Sequence, residues 1–200
     1  MIVRPGTPKD NPPLDPELLR LRRGLWVARG FYFIFFAALG AIGPFFNIYL
    51  AEKGLTGTQI GLLSSVPPLI ALTSNPIWGA IADRWQAHQR VLGICAFVAG
   101  LSSLGFIWLG GFWGTLAVLC LLNFFRSPIP AILDGTVMAY VAKHDVSYGR
   151  QRVFGSFGWI LSSYGIGLLI GTININAIFW LHAAALGLAG TLLSMQMPVE

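Results

Sequence analysis

Long apolar runs separated by short polar or glycine-containing segments dominate this chain. The six runs lie at about residues 25–50, 58–82, 91–109, 113–141, 153–171 and 176–196. About 20 helical residues cross a hydrocarbon core of roughly 30 Å, and each run approaches or exceeds that length. The runs do not alternate apolar with polar residues, as the strands of a membrane β-barrel would. The pattern therefore predicts an all-α membrane protein with six transmembrane helices.

The composition agrees with a membrane protein and excludes an ordinary soluble domain. Hydrophobic residues make up 55% of the 200 positions and charged residues only 10%, whereas soluble domains carry about 25% charged residues. Such a chain lacks the polar side chains that a soluble surface requires. Glycine occupies 24 positions, which suits close packing of helices in lipid.

Positive charges are concentrated on one side of the expected membrane. They precede the first run and recur after the second and fourth runs, at Arg20, Arg22, Arg23, Arg84, Arg90, Lys143 and Arg150. The loops on the other side offer only Lys53 as a cation. Because cytoplasmic loops are enriched in Lys and Arg, we expect an integral protein of the plasma or inner membrane with both termini in the cytoplasm. Residues 1–24 would form a cytoplasmic tail, and residues 25–200 the six-helix bundle.

Small residues recur at four-residue spacing in the second and fifth runs. The two sets are Gly57, Gly61 and Ser65, and Ser163, Gly167 and Gly171. Such spacing lets two membrane helices approach closely. Since the second and fifth runs hold the same place in two consecutive triplets, the pattern favours a three-plus-three inverted repeat, as in many secondary transporters. Ordinary packing of membrane helices is the alternative.

The fourth run carries charge inside the expected membrane. Arg126 and Asp134 lie well within it, and a charge near the centre of a membrane helix costs about 2.5 to 3.5 kcal/mol on insertion scales. On a helix, Asp134 shares one face with Asn123, Ser127 and Pro130. Charged residues in membrane helices usually face a cavity or a partner. We therefore expect this polar face to line a cavity in the protein.

The fifth run begins with a polar stripe of the same period. Arg152, Ser156, Trp159 and Ser163 follow one another at steps of four, three and four residues. We expect Asp134 and Arg152 to face each other across a wet cavity, where they neutralise each other or share a polar solute. The flat ring of Trp159 suits stacking on a sugar or an aromatic ring. A structural ion pair that fixes helix register is the alternative for the two charges, and packing is the alternative for Trp159.

The junction of the second and third runs reads GAIADRWQAHQR. It resembles the loop signature of the major facilitator superfamily, in which a glycine is followed after three residues by aspartate and arginine. The matching residues are Gly79, Asp83 and Arg84. The next glycine of the signature is Gln86 here, and its basic cluster is reduced to His88 and Arg90. The resemblance implies that this motif, including Arg90, belongs to a cytoplasmic gate, with close helix approach at Gly79.

The segment YGRQRVFGSFGWILSS resembles helix five in the proton-symport branch of the superfamily that contains lactose permease and the phenylpropionate and nucleoside permeases. NFFRSPIPAILDG resembles helix four of the phenylpropionate group. In lactose permease the corresponding acid and arginine contact the sugar, and the tryptophan stacks on it. The resemblance therefore implies substrate-binding roles for Asp134, Arg152 and Trp159, and the polar stripes add Asn123 and Ser156. The acid is Asp here rather than Glu, which leaves the substrate open.

Two polar residues depart from what this resemblance explains. Arg126 stands where the related helix carries an apolar residue. It suggests an additional cation near mid-membrane that binds an anionic solute, and pairing with an acid outside this chain is the alternative. His182, early in the sixth run, is either a hydrogen-bonded structural histidine or a proton relay.

The resemblance covers nearly the whole chain after residue 25, but only half of a twelve-helix fold. It implies the amino-terminal half of a secondary active transporter for a small organic solute such as a sugar, nucleoside or aromatic acid. Transport would be proton symport by alternating access. A non-transporting membrane scaffold or receptor derived from a transporter half is the alternative.

The expected partners are a small-molecule solute, the lipid bilayer and a second six-helix half, whether a missing carboxy-terminal half or another chain. The His, Cys and acidic residues show neither metal-ligand spacing nor a nucleophile constellation, so we expect no enzyme, no cofactor and no metal. The sequence contains no glycine-rich phosphate loop. It contains no nucleic-acid motif either, and membrane topology explains its basic residues.

Overall fold

The computed structural model describes residues 16–144, 146–172 and 174–197, and within them it contains helices and turns but no strand. The helical elements are α1 Pro16–Ile42, a 3₁₀ turn Gly43–Phe45, α2 Phe46–Glu52, α3 Gly57–Arg84, α4 His88–Ser103, α5 Gly105–Trp108, α6 Gly111–Arg126, α7 Pro128–Lys143, α8 Tyr148–Leu169, α9 Ala177–His182, a π-helical stretch Ala183–Gly190 and α10 Thr191–Ser194. They form six successive segments, namely α1 with α2, α3, α4 with α5, α6 with α7, α8, and α9 with α10. The predicted all-α architecture is confirmed.

Five of the six segments are long and apolar enough to cross a membrane, as judged over the described residues. They are Leu19–Glu52, Gly57–Arg84, His88–Trp108, Gly111–Lys143 and Ala177–Ser194. Helix α8 is the exception. Its 22 residues give a length of about 33 Å, but it combines arginines with several serines and glycines. The predicted count of six apolar spans is therefore not exact, because the fifth segment carries polar side chains of the candidate site.

The first segment is interrupted where α1 meets the 3₁₀ turn. Pro44 has no N–H and cannot donate to the Gly40 carbonyl one turn earlier. The Ser163 hydroxyl on α8 donates to that carbonyl instead, at 3.1 Å. Ser163 therefore fixes α8 against the break in the first segment.

Helices α1 and α8 form the most extensive helix contact of the bundle, and glycines on α8 make it possible. A Cβ added at Gly158 would overlap the carbonyl oxygen of Phe33, and one at Gly155 would lie 2.6 Å from the Phe36 ring. The α1 backbone thus approaches α8 at Gly158, and the Phe36 ring of α1 packs against Gly155. This contact sets which face of α8 is presented to α7.

The small-residue sets expected from the sequence are only partly right. Ser163 does contact α1, but a Cβ added at Gly57, Gly61 or Gly171 finds no atom of the described residues within 4 Å. The residues that permit close approach on α8 lie up to two turns before Ser163. A four-residue spacing shows that a helix has a face of small residues, but it does not show whether another helix packs against that face.

The helix contacts have the symmetry of a three-plus-three repeat. The pairs of segments in closest contact are one with five, two with four, three with six, three with four, and one with six. Exchanging segment one with four, two with five and three with six converts each of these pairs into a pair of the same set. The packing therefore agrees with the repeat that the sequence favoured.

Candidate functional site

Asp134 on α7 connects three helices. Its Oδ1 accepts a hydrogen bond from the Tyr32 hydroxyl on α1 at 2.5 Å. Its Oδ2 lies 3.2 Å from Nη1 of Arg152 on α8. The predicted proximity of Asp134 and Arg152 is confirmed, whereas their role in solute binding stays a prediction.

Arg152 is the more open partner of this ion pair. Its side chain is 49% exposed, against 22% for Asp134. Nη1 of Arg152 also donates to the Tyr148 hydroxyl at 3.0 Å. A guanidinium has five N–H donors, so it retains donors for the oxygen atoms of a ligand. We call Tyr32, Asp134, Tyr148 and Arg152 the Asp134 cluster.

Ser156 and Trp159 continue the exposed face of α8 beyond Arg152. Ser156 is exposed, and Trp159 is 38% exposed. The six-membered ring of Trp159 rests on Gly43, where an added Cβ would lie 2.9 Å from Cη2. The indole is therefore held at one edge by the break in the first segment while part of its surface is open. Its predicted stacking on a solute has this geometry available, and it stays a prediction.

A second contact fixes the rotation of α8 at its start. Nε of Arg29 on α1 donates to Oε1 of the buried Gln151 at 2.8 Å. The Arg29 guanidinium also lies 4.9 Å from the ring centroid of Trp26 and 5.3 Å from that of Phe154. Because Gln151 precedes Arg152, this contact directs Arg152 towards α7.

The two tyrosines of the Asp134 cluster were missed by the sequence reading. Tyr32 lies in the aromatic stretch GFYFIFF, where no polar period marks it. Tyr148 lies one helical turn before Arg152, and an i, i+4 pairing could have suggested their contact.

Asn123 and Arg126 form a separate polar pair on α6. Nη2 of Arg126 donates to Oδ1 of Asn123 at 2.6 Å, and Nδ2 of Asn123 donates to the Leu119 carbonyl at 2.8 Å. Asn123 is buried, with 1% exposure. The expectation that it lines an open cavity beside Asp134 is therefore wrong. The prolines at 128 and 130 lack N–H donors, and α6 ends between the two residues, so one ideal helix face does not run through both.

The loop between α3 and α4 is organised around Asp83. Nε2 of His88 lies 3.0 Å from Oδ1 of Asp83, and the Gln86 side-chain amide donates to the Asp83 carbonyl at 2.9 Å. Gln86 has φ of +46°, a left-handed conformation that is uncommon outside glycine. This backbone explains why the superfamily signature has glycine at this position.

Gly79 does not mark a close helix contact among the described residues. A Cβ added there meets nothing within 4 Å, so that expectation is wrong. Gly79 instead lines a cavity of about 710 Å³ together with Asp83, Arg90 and residues of α7. Arg84 is exposed. A gating role for the four motif residues stays a prediction.

Comparison with known sequences identifies the family. The sequence model of the MFS_1 like family matches residues 25–200. The chain belongs to the major facilitator superfamily. The matching region is the amino-terminal half of the superfamily fold.

Relatives with established or proposed transport functions cover most of this chain. It is 30% identical to the uncharacterized transporter YwbF of Bacillus subtilis (strain 168), over 90% of this chain and 45% of the relative. It is 29% identical to the maltose permease of Geobacillus stearothermophilus, over 84% and 43%. It is 28% identical to a melibiose permease of Enterobacter cloacae, over 90% and 41%. The chain thus spans less than half the length of these relatives. It is an integral membrane protein of a family of transporters, not of enzymes.

Proposed function

We propose that this chain is the amino-terminal half of a secondary active transporter that moves a small organic solute by alternating access. The observation that carries this proposal is the Asp134 cluster. An acid and a guanidinium neutralise each other within a membrane-spanning bundle, and the guanidinium stays half exposed beside Ser156 and Trp159. A pair with only a structural role would not require an open face lined with further polar and aromatic groups.

The three exposed α8 residues fit a solute of limited size. Arg152 and Trp159 are seven residues apart, which corresponds to about 10 Å along a helix. A sugar, nucleoside or aromatic acid can span this distance, with its polar groups on Arg152 and Asp134 and its ring against the indole. Ser156 lies between them and offers a hydroxyl.

A second six-helix half would complete the site. Helix α3 is the most open of the five apolar segments, with 11% of its apolar window buried against 39% or more in the others. Its Ser65 and Thr73 hydroxyls are exposed and bond to carbonyls of their own helix. Polar groups on such a face suit a protein partner better than lipid. The relatives are about twice as long as the chain, which agrees with a partner half.

The proposal also includes proton symport and a cytoplasmic location of both termini. The resemblance of helices four and five to the proton-symport branch supports proton symport. The distribution of Lys and Arg supports the cytoplasmic location of the termini. A cysteine replacing Thr172 should react with an impermeant reagent from outside intact cells. A cysteine replacing His144 should react only after permeabilisation.

Uptake by the full-length protein tests the proposal. Membrane vesicles would be supplied with labelled maltose, 3-phenylpropionate or uridine under an imposed proton gradient. We expect one of these solute classes to accumulate and a protonophore to abolish the accumulation. Absence of both uptake and binding, together with capture of one specific protein partner, would contradict transport and favour the scaffold or receptor alternative.

A further inference from the structure

A groove runs between the start of α4 and the end of the sixth segment, at the end of the bundle that carries the α3–α4 loop. It encloses about 560 Å³, within the range of roughly 300 to 1,000 Å³ that ligand pockets occupy. Ile94, Phe97 and Val98 of α4 form one wall, and Met195 belongs to the other. Phe97 and Met195 are 47% and 69% exposed, so these apolar walls are open to the surroundings of the described chain.

The floor of the groove suits hydrocarbon. Gly93 and Ser194 are buried there, and a Cβ added at Gly93 would lie 2.8 Å from Oγ of Ser194. The Ser194 hydroxyl donates to the Thr191 carbonyl at 2.7 Å, and the Thr191 hydroxyl donates to the Gly187 carbonyl at 2.7 Å. Both hydroxyl protons are therefore engaged within their own segment. An aliphatic chain can cover this floor because no polar donor is left without a partner.

Arg90 gives one end of the groove a positive charge. It lies in the first turn of α4, one turn before Ile94 on the same helix face, and its side chain is exposed. Among the described residues, the Arg90 guanidinium has no hydrogen bond or ion pair. The side-chain amide of Gln89, by contrast, donates to the Met197 carbonyl. The groove thus combines an apolar channel with a cation that has donors free for a ligand.

The surroundings of Arg90 correspond to the depth of lipid headgroups. Arg90 lies at the start of an apolar span, His88–Trp108. Trp85, in the loop before that span, is 69% exposed, and tryptophan is enriched where a membrane meets water. Arg90 and Phe97 are seven residues apart, which corresponds to about 10 Å along a helix. The groove therefore extends from the headgroup level into the hydrocarbon region.

A molecule with a negative headgroup and an aliphatic chain matches both parts of the groove. A soluble anion would leave the apolar walls uncovered, and a zwitterionic lipid carries a cation that offsets the attraction to Arg90. Basic pockets between membrane helices are typical sites for anionic headgroups. We propose that this groove binds an anionic phospholipid, with the phosphate on Arg90 and one acyl chain along Ile94 and Phe97. Lipid binding here does not depend on which solute is transported.

Thermal unfolding of the full-length protein in detergent tests this site without requiring transport. The probe is dioleoyl phosphatidylglycerol. Dioleoyl phosphatidylcholine has the same chains with a zwitterionic headgroup, and glycerol 3-phosphate has the phosphate without chains. We expect phosphatidylglycerol to raise the melting temperature saturably, as a ligand of the folded state does. Neither of the other two compounds should do so at equal concentration.

Variants locate the lipid response. Arg90→Gln should weaken the apparent affinity for phosphatidylglycerol by about fivefold, the contribution of one basic residue at an anionic lipid surface. Arg90→Lys should retain most of the affinity because it keeps the charge. Arg22→Gln, which removes an exposed arginine of α1 outside the groove, should leave the affinity unchanged.

A second pair of variants tests the apolar wall. Phe97→Ala should weaken the affinity for phosphatidylglycerol by about threefold, because it removes apolar area that the acyl chain covers. Leu101→Ala, at an exposed position of α4 outside the groove, is the matched control and should have no effect.

Several results would overturn the inference. They are stabilisation by phosphatidylcholine or glycerol 3-phosphate equal to that by phosphatidylglycerol, no effect of phosphatidylglycerol, and a wild-type response of either Arg90→Gln or Phe97→Ala. A second copy of the chain is the other possible occupant, and the oligomeric state of the lipid-free protein tests it. A dimer that Phe97→Ala dissociates would assign the groove to that second copy and contradict the lipid site.

Discussion

The Asp134 cluster and the Arg126–Asn123 pair each place a guanidinium inside the same bundle, but the charge of the guanidinium is balanced differently in the two. Arg152 lies 3.2 Å from a carboxylate of this chain and is half exposed. Arg126 hydrogen-bonds to an uncharged group, the Asn123 amide oxygen. The charge of Arg152 is therefore balanced by a carboxylate of this chain, whereas the contact that holds Arg126 carries no negative charge.

This difference predicts different chemical properties for the two arginines. A preformed ion pair offers both donors and acceptors, so it can recognise hydroxyl groups of many solutes. An unneutralised arginine offers only donors, so it discriminates by charge. Breaking either site should therefore have a different signature.

The largest effect is expected for Arg152→Ala. The substitution leaves the Asp134 carboxylate without its cation and also removes a solute contact, and a hydrogen bond to a charged group contributes about 1.5 to 3 kcal/mol. Solute binding should fall by roughly 30-fold or more, measured by uptake at matched expression. The exchange Asp134→Arg with Arg152→Asp should restore folding but not binding. Full uptake by Arg152→Ala would contradict the cluster as a binding site.

Opposite changes in stability should separate the two arginines. In the absence of anions, Arg126→Gln should stabilise the protein by about 1 to 3 kcal/mol, because it removes an unpaired buried charge. Arg152→Gln should destabilise it by about 1 kcal/mol, a modest value because Arg152 is half exposed and solvent screens the pair. Thermal unfolding in one detergent measures both. The same sign for both variants would remove the distinction between the sites.

A smaller effect is expected for Tyr32→Phe. It removes the hydroxyl that donates to Asp134 at 2.5 Å, and a hydrogen bond to a charged group contributes about 1.5 to 3 kcal/mol. Binding of neutral solutes should weaken by roughly tenfold. Tyr164→Phe, on the exposed surface of α8, is the matched control and should bind solutes as the wild type does. An equal loss in both variants would contradict a specific role for the Tyr32 hydroxyl.

The smallest effect is expected outside both sites, at Gln86→Gly. Gln86 has φ of +46°, and a non-glycine residue pays about 1 kcal/mol in this region. The variant should be more stable by about 0.5 to 1 kcal/mol, reduced by the greater chain entropy of glycine. Solute affinity should stay the same. A loss of stability would show that the side-chain contact of Gln86 with Asp83 outweighs the strain.

The sequence was sufficient to predict the fold class and the central ion pair. The length of the apolar runs, which must cross a lipid bilayer, determines the fold class. The cost of an unpaired charge in the membrane determines the ion pair, because few cations were available to pair with Asp134. The sequence was not sufficient to identify Tyr32. A tyrosine within an aromatic stretch gives the same sequence pattern whether or not its hydroxyl forms a hydrogen bond.

The errors at Asn123 and Gly79 share one physical cause. Extrapolation along an ideal helix ignored the break at the prolines after α6, and extrapolation from a motif assumed a neighbouring helix at Gly79. Both depend on how separate segments meet, which local sequence patterns do not specify. The glycines that do permit close approach, Gly155 and Gly158, were not in the predicted sets, because Trp159 interrupts the four-residue series between Gly155 and Ser163 and Gly158 lies outside that series.

Solute protection of a cysteine at Ser156 tests the central claim most directly, namely that Arg152, Asp134 and Trp159 line one solute site. Full-length protein carrying Ser156→Cys would be treated with a hydrophilic maleimide with and without the transported solute. Leu161→Cys, on another exposed face of α8, is the control. We predict that the solute slows labelling of Ser156→Cys by at least about tenfold, because it would cover this position between Arg152 and Trp159, and that it leaves Leu161→Cys unchanged. Equal labelling of Ser156→Cys with and without solute would contradict the account.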